Sequence, residues 1–250
     1  MRATGIFLIR KMKMSKSKTI TSIIFAPILM LSLLSCGESA NSVEERTTKL
    51  LYQGHASLRL ISTDEMVMDG TVIYVDPAMG DGYELPADII LITHEHRDHN
   101  QINLVTQKED CVIIRAADAI TNGEYNTFSI KGVEIEAVEA YNSRHSKLTS
   151  VGFLILIDGI MVYVAGDTSK TERMEKFSEK QIDYAFLPCD GEFNMNVVEA
   201  AECAEIIAAR NNIPYHTRSR SIFDIEIAEN FKASNRLIIE PGEEIILSKS

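Results

Sequence analysis

Three of the six histidines in this 250-residue chain lie in one short run, His94-Glu95-His96-Arg97-Asp98-His99, and no other feature constrains the fold as strongly. The run follows residues 89–92 (Ile-Ile-Leu-Ile), the continuous apolar stretch expected of a strand covered on both faces. In an extended segment, side chains two apart point the same way, so His94 and His96 can hold one cation. Asp98 and His99 fall where the chain turns toward a helix, so they point elsewhere and can hold a second cation. Imidazole with carboxylate is a ligand set for zinc and its borderline neighbours. A solvated polar loop would leave this composition without a reason.

Two cations need further ligands, and strand ends offer them. His145 follows an expected strand at 133–138 and a short loop. Asp167 stands in Ala165-Gly166-Asp167-Thr168 after a strand at 160–164, and His216 follows Ile213-Pro214-Tyr215. Singly, each is unremarkable: a lone histidine or a Gly-Asp pair is commonly a loop or turn residue. Together they supply a third nitrogen for one metal, a nitrogen for the other, and a carboxylate to bridge.

The rest of the pattern predicts strands at 50–52, 57–62, 71–75, 89–93, 111–115, 127–130, 133–138, 151–157, 160–164, 184–187, 213–215, 236–239 and 244–247. Asp69-Gly70, Lys131-Gly132 and Asp158-Gly159 read as hairpin turns. Helices are expected at 102–108, 197–210 and 223–231. Hairpin-rich strands, then mixed strands and helices, then the same again, point to two sheets packed face to face with helices outside.

The first 36 residues read as an address. Residues 11–18 are basic, residues 20–34 are apolar, and Leu33-Leu34-Ser35-Cys36 resembles the lipobox of bacterial lipoproteins, in which the cysteine thiol is acylated. An ordinary signal peptide and a buried N-terminal helix are the alternatives; Met1, Met12 or Met14 can each serve as the start. Lipidation would put the protein at the cell envelope, anchored to the periplasmic face or the outer membrane. The expected organisation is a signal peptide at 1–35, lipidated Cys36 with a polar tether to 46, and one domain at 47–250. Beyond residue 35 the chain carries 19 basic against 36 acidic residues, a net charge of −17, which argues against nucleic acid as a standing partner. Cys111, Cys189 and Cys203 form no C-x-x-C pair and read as free thiols.

The T-H-x-H-x-D-H string, a later single histidine, A-G-D-T at a strand end and the final I-P-x-H resemble the metallo-β-lactamase superfamily. Gly54-His55-Ala56-Ser57, Val75-Asp76-Pro77, His145-Ser146, Val151-Gly152-Phe153 and Leu187-Pro188 followed by Gly191-Glu192-Phe193-Asn194-Met195 are similar to its lactonase-like branch, related to L-ascorbate-6-phosphate lactonase. The resemblance implies an α+β fold, a four-layer αββα sandwich with two divalent ions at one edge of the paired sheets. It implies His94, His96 and His145 on one ion and Asp98, His99 and His216 on the other, with Asp167 between them. The ions expected are Zn2+, with Mn2+ or Fe2+ as alternatives. It also implies hydrolysis: a hydroxide held between cations roughly 3.5–4 Å apart attacks the substrate, with Asp98 orienting it and accepting its proton.

His55 is expected as the floor of the site or as a turn histidine. Asp76 either holds a ligand histidine or simply makes an Asp-Pro turn. Pro188-Cys189-Asp190-Gly191 departs from the branch's Pro-x-Gly-Gly: Cys189 and Asp190 either tune the second metal or touch substrate, or Cys189 is a small buried hydrophobe. After His216 the branch's Tyr-Asn-Thr is shortened to Thr217, followed by Arg218-Ser219-Arg220, which either meets an anionic substrate or is a solvated pair. Arg144 has no assigned role. The resulting expectation is a lipid-tethered binuclear hydrolase of a small-molecule ester-type bond, a lactone or cyclic ester. The alternatives are a phosphodiesterase like the N-acyl phosphatidylethanolamine-cleaving members and a non-catalytic metal-binding envelope protein.

Overall fold

A computed structural model of the chain describes residues 46–63 and 70–249. The signal segment, Cys36, the tether as far as residue 45, and Asp69 of the Asp69-Gly70 turn lie outside the described residues. Among the described residues no helix is long and apolar enough to cross a membrane.

Two six-stranded sheets carry the fold. The first contains β1 (Thr47–Gly54), β2 (Ser57–Thr63), β3 (Val72–Val75), β4 (Ala87–Ile92) and β5 (Gln107–Arg115), with the last strand of the chain, β14 (Glu244–Leu247), on the far side of β1. A short helix α1 (Ala116–Ala119) and the hairpin β6 (Ile120–Thr121) and β7 (Glu124–Tyr125) lead to the second sheet. That sheet contains β8 (Thr127–Ile130), β9 (Val133–Glu139), β10 (Val151–Ile157), β11 (Ile160–Val164), β12 (Tyr184–Pro188) and β13 (Asn211–Tyr215) in sequential order. Each sheet is antiparallel through its hairpins and becomes parallel at its end: β3-β4-β5 in one, β11-β12-β13 in the other.

The continuous apolar runs are explained by coverage of both strand faces. In β4, Ile89 and Leu91 enter the core between the sheets, while Ile90 and Ile92 face outward into a second apolar cluster. In β12, Tyr184 and Phe186 point inward, and Ala185 and Leu187 pack under α2 (Val197–Ile207). Lys131 and Asp158 adopt left-handed backbone (φ 50° each) ahead of Gly132 and Gly159, the geometry of tight hairpin turns. Asp158 also accepts hydrogen bonds from Thr48 (2.8 Å) and Ser62 (2.9 Å), tying the two sheets together.

Several expected elements differ. The helix expected at 197–210 ends at Ile207, because Ala208 turns left-handed (φ 56°); Asn196 caps its start by accepting from Val198 N (2.9 Å) and Glu199 N (3.1 Å). The helix expected at 223–231 is α3 (Ile225–Asn230), capped by Asp224. The helix expected at 102–108 is one 3-10 turn, Ile102–Leu104, since Gln107 and Lys108 already pair in β5. The strand expected at 236–239 is a single bridge between Asn212 and Arg236. A 3-10 segment, Glu172–Lys180, went unpredicted because only Met174 and Phe177 are buried in it, too few for a periodic signal. The layer over the second sheet is helical, whereas the first sheet is covered by loop residues such as Tyr83 and Leu85 and by the 3-10 turn at Ile102.

Asp88 of β4 is a buried carboxylate held by Lys131 (2.5 Å), Lys108 (2.8 Å) and Val72 N (2.9 Å). Burial pushes its pKa up, but the two lysines and the backbone donor outweigh that and hold it below the ordinary value. Replacing Asp88 with Ala is expected to destabilise the fold by about 2 kcal/mol. A lowered carboxylate pKa stabilises the folded state above the unfolded-state value and loses that contribution as pH falls through the folded one. Urea unfolding of wild type and Asp88→Ala as a function of pH should therefore show a gap that is full above pH about 4 and closes in acid.

Candidate metal centre

The parallel strand ends of the two sheets place the polar residues. Asp76 follows β3, Thr93 and His94 follow β4, Asp167 follows β11, Asp190 follows β12 and His216 follows β13. The carboxyl end of parallel strands is the usual place for a site in such sheets, because loops diverge there and open a crevice. His145 comes from the loop between β9 and β10, and His55 from the tight turn between β1 and β2. Two backbone hydrogen bonds close the edge: Val151 N donates to Thr93 O (2.9 Å), joining the sheets, and His216 N donates to His55 O (2.9 Å).

Asp167 sits at the middle. Its Oδ2 lies 3.4 Å from His145 Nε2 and 4.0 Å from His94 Nε2. Its Oδ1 lies 3.4 Å from His99 Nε2 and 3.5 Å from His216 Nε2. The ligand-capable atoms of His94, His96 and His145 lie within 4.8 Å of one another, as do those of His55, Asp98, His99 and His216. All seven residues expected to hold metal therefore converge, in the expected two groups, and His55 joins the second.

The outward nitrogens face acceptors. His99 Nδ1 meets Asp76 Oδ2 (2.8 Å), His145 Nδ1 meets Asn142 Oδ1 (3.0 Å) and His216 Nδ1 meets Asp190 Oδ2 (3.1 Å). His94 Nδ1 meets Thr93 Oγ1 (3.1 Å), whose own hydrogen goes to Asp76 Oδ2 (2.6 Å). A carboxylate or amide oxygen can only accept, so in the neutral rings of His94, His99 and His145 Nδ1 carries the proton and Nε2 turns a lone pair inward. The Nε2 atoms of His94, His99 and His216, Nδ1 of His216 and Oδ1 of Asp167 are buried without a hydrogen-bond partner, Asp190 standing within ion-pair distance of His216 Nδ1 only. Lone pairs facing a carboxylate repel unless a cation lies among them, so the residues present fit divalent metal.

The charge balance reflects this crowding. Burial alone raises the Asp167 pKa, but His216, His99, His94 and His145 outweigh it and hold it well below the ordinary value. Burial lowers the His99 pKa, but Asp167 and Asp76 reverse this and raise it to about 9. His94, buried beside His99, is pushed down to about 2. Burial raises the Asp190 pKa, yet His216 and the backbone donors of its loop bring it down to about 2.

The residues left open are now placed. His55 is both turn and floor: it adopts left-handed backbone (φ 55°), stacks on His216 with ring centres 3.8 Å apart, and sets Nε2 3.3 Å from Asp98 Oδ2. Asp76, also left-handed (φ 45°), both turns the chain and holds His99 and Thr93. Asp190 backs His216, but Cys189 points away into the apolar cluster with Ala200, Cys203 and Ala204; burial pushes its thiol pKa up to about 12. Cys189 is thus the buried small hydrophobe. Arg218 pairs with Asp224, leaving Arg220 facing the site. Arg144 stacks over Phe193 at 4.7 Å, and both line the cavity of about 360 Å3 above the histidines. Asn142 was missed. Its Oδ1 accepts from Arg144 N (2.8 Å) and His145 N (3.0 Å), an Asx turn visible in sequence only as an asparagine three residues before a histidine.

Two face-to-face mixed sheets with a histidine–aspartate cluster at their parallel strand ends are the architecture of the metallo-β-lactamase fold. The chain belongs to the beta-lactamase superfamily, whose domain matches residues 49–216. A UPF0173 metal-dependent hydrolase of Thermococcus onnurineus is 30% identical over 219 residues, covering 78% of this chain and 97% of that protein. The crystal structure of a metal-dependent hydrolase from Parabacteroides distasonis is 30% identical with a TM-score of 0.63, over 78% of this chain and 92% of its own. Igni18, a metallo hydrolase of Ignicoccus hospitalis, shares the fold at 22% identity and a TM-score of 0.62, over 82% of this chain and all of its own. This chain is a metal-dependent hydrolase of that superfamily.

Asp76→Ala should leave the sandwich folded while freeing His99 and Thr93. Loss of such a partner is expected to weaken metal binding about 10–100-fold. Competitive titration against a chromogenic chelator, with circular dichroism as the control for folding, measures it.

Proposed function

We propose that the enzyme is binuclear and opens a lactone or cyclic ester. The observation that carries this reading is the Asp167 carboxylate, whose two oxygens each face two imidazoles from opposite groups. His94, His96 and His145 with Asp167 Oδ2 would hold one ion, and Asp98, His99 and His216 with Oδ1 the other. The all-nitrogen-and-oxygen donor set suits Zn2+, with Mn2+ and Fe2+ as competitors. Bound there, divalent ions would supply Lewis acidity, lowering the pKa of solvent and carrying charge that develops on the substrate oxygen.

The chain's own groups divide the remaining work. Asp98 is half-buried and lines the cavity, so it can accept a proton from attacking solvent. Burial raises its pKa, but the hydrogen bond to His55 and the charge of His99 hold it well below the ordinary value, keeping it an acceptor. His55 fixes its direction, being anchored in turn by Nδ1 against Ser221 O at 3.1 Å. Asp76, Asn142 and Asp190 keep His99, His145 and His216 oriented. We propose in addition that Cys36 is lipidated and holds the enzyme at the cell envelope, within reach of membrane-derived or periplasmic small molecules.

Elemental analysis of the purified protein should find two metal ions per chain, and chelation should abolish turnover. Asp98→Ala is expected to lower kcat about 10²–10⁴-fold and to weaken binding of the ion that Asp98 would hold with His99 and His216, so turnover is read at saturating metal. A panel of lactones against phosphodiesters on the zinc-, manganese- and iron-loaded protein distinguishes the bond cleaved; turnover of phosphodiesters alone would overturn the lactone reading. Metabolic labelling with a fatty acid should mark the wild type and not Cys36→Ala.

A further inference from the structure

A second depression opens beside the metal-centre cavity. It holds about 750 Å3 and shares Asp98 and Phe193 with the cavity over the histidines, so a molecule reacting at the one extends naturally into the other. Met79, Leu104 and Phe193 form an apolar wall, and Arg97 and Arg220 face it. This is an unusual place for two cations in a chain of net charge −11.

The other arginines are mostly spoken for. Arg59, Arg115, Arg173, Arg210 and Arg218 each reach a carboxylate. Arg97 and Arg220 reach none among the described residues, and the one carboxylate in the depression, Asp98, is turned to His55. Both are exposed at the tip but anchored at the base. Arg97 lies between His96 and Asp98, its carbonyl accepting from Gln101 Nε2 (2.6 Å), and Gln101 N donates to Pro77 O (2.7 Å). Arg220 follows His216 by four residues, in a loop tied by the Arg218–Asp224 pair and by Ser219 Oγ donating to Glu192 (2.5 Å). The segments that carry the metal ligands thus also carry both guanidiniums. A guanidinium fork suits a carboxylate or phosphate, and an adjoining apolar wall suits a few methylenes.

We propose that this depression is the subsite for the non-reacting end of the substrate. The substrate class is then an ester whose far end is a carboxylate or phosphate carried on a short apolar segment. The inference rests on the reading of the histidine cluster as the hydrolytic centre, so turnover and binding are tested separately.

Three chromogenic esters of equal acyl length serve as probes on the zinc-loaded protein: 4-nitrophenyl hexanoate, mono-4-nitrophenyl adipate and 4-nitrophenyl 6-phosphonooxyhexanoate. The charged esters are expected to exceed the neutral one at least tenfold in kcat/KM, with the stronger of the two naming the anion. In Arg97→Met/Arg220→Met that ratio should fall to near one. Calorimetry with adipate and hexanoate reads the subsite without chemistry. Adipate should bind at least tenfold tighter to the wild type, and the double variant should lose the difference. Adipate binding no tighter than hexanoate overturns the subsite, whatever the esters do. Tighter adipate binding without cleavage of any ester leaves the subsite standing and removes ester hydrolysis as the reaction.

Discussion

Asp167 is a buried carboxylate, 4% exposed, surrounded by the Nε2 atoms of four imidazoles. Taking such a charge out of water costs several kcal/mol unless positive charge meets it. The rest of the site is arranged around that demand. Asp167 can see His99 and His216 on one side and His94 and His145 on the other only if both sheets end at one edge. That in turn needs the two sheets to meet at the end of β4, which the hydrogen bond from Val151 N at the start of β10 to Thr93 O provides.

Holding these residues at strand ends strains the backbone. His55, Asp76 and His216 all adopt left-handed φ, at a cost of about 1–3 kcal/mol each for non-glycine residues. Gly166 is left-handed too (φ 67°), and a Cβ there would stand 2.7 Å from Val151 O and 3.1 Å from Thr93 Cβ, so only glycine lets Asp167 approach the β4 end. The strained turns are interlocked: Tyr52 OH and His216 N both donate to His55 O, and Thr93 N donates to Asp76 Oδ1. The tyrosines that reach the site, Tyr52 and Tyr215, are rooted in the apolar core between the sheets, and Tyr215 OH accepts from Gly166 N (2.9 Å). Packing far below the histidine cluster thus sets the position of Asp167.

Much of this was legible in the chain. The His94–His99 run, the strand-end Asp167 and the later His216 carried enough chemical specificity to point to one cluster, and these residues do converge. Apolar runs such as Ile89-Ile90-Leu91-Ile92 showed strands covered on both faces. What escaped was determined by tertiary contact rather than local pattern. Glu172–Lys180 buries two side chains and gives no period, and Ala208 ends its helix through a left-handed turn that alanine does not advertise. Asn142 matters through where its amide points, toward His145 and the Phe193 carbonyl. Arg218 and Arg220 look equivalent in sequence, and only the nearby Asp224 separates them.

The outer ring of acceptors explains why protons and metal ions must compete at this centre. Asp76 and Asp167 stand on opposite edges of the His99 ring, and together they overcome burial and raise its pKa to about 9. His216, between Asp167 and Asp190, is raised as well, while burial and the neighbouring His99 drive His94 down to about 2. Without a cation, then, His99 holds a proton more readily than His94 does. A divalent ion binding His99 competes with that proton, whereas at His94 it meets little such competition. The same carboxylates that orient the histidines therefore make His99 and His94 unequal in their response to pH.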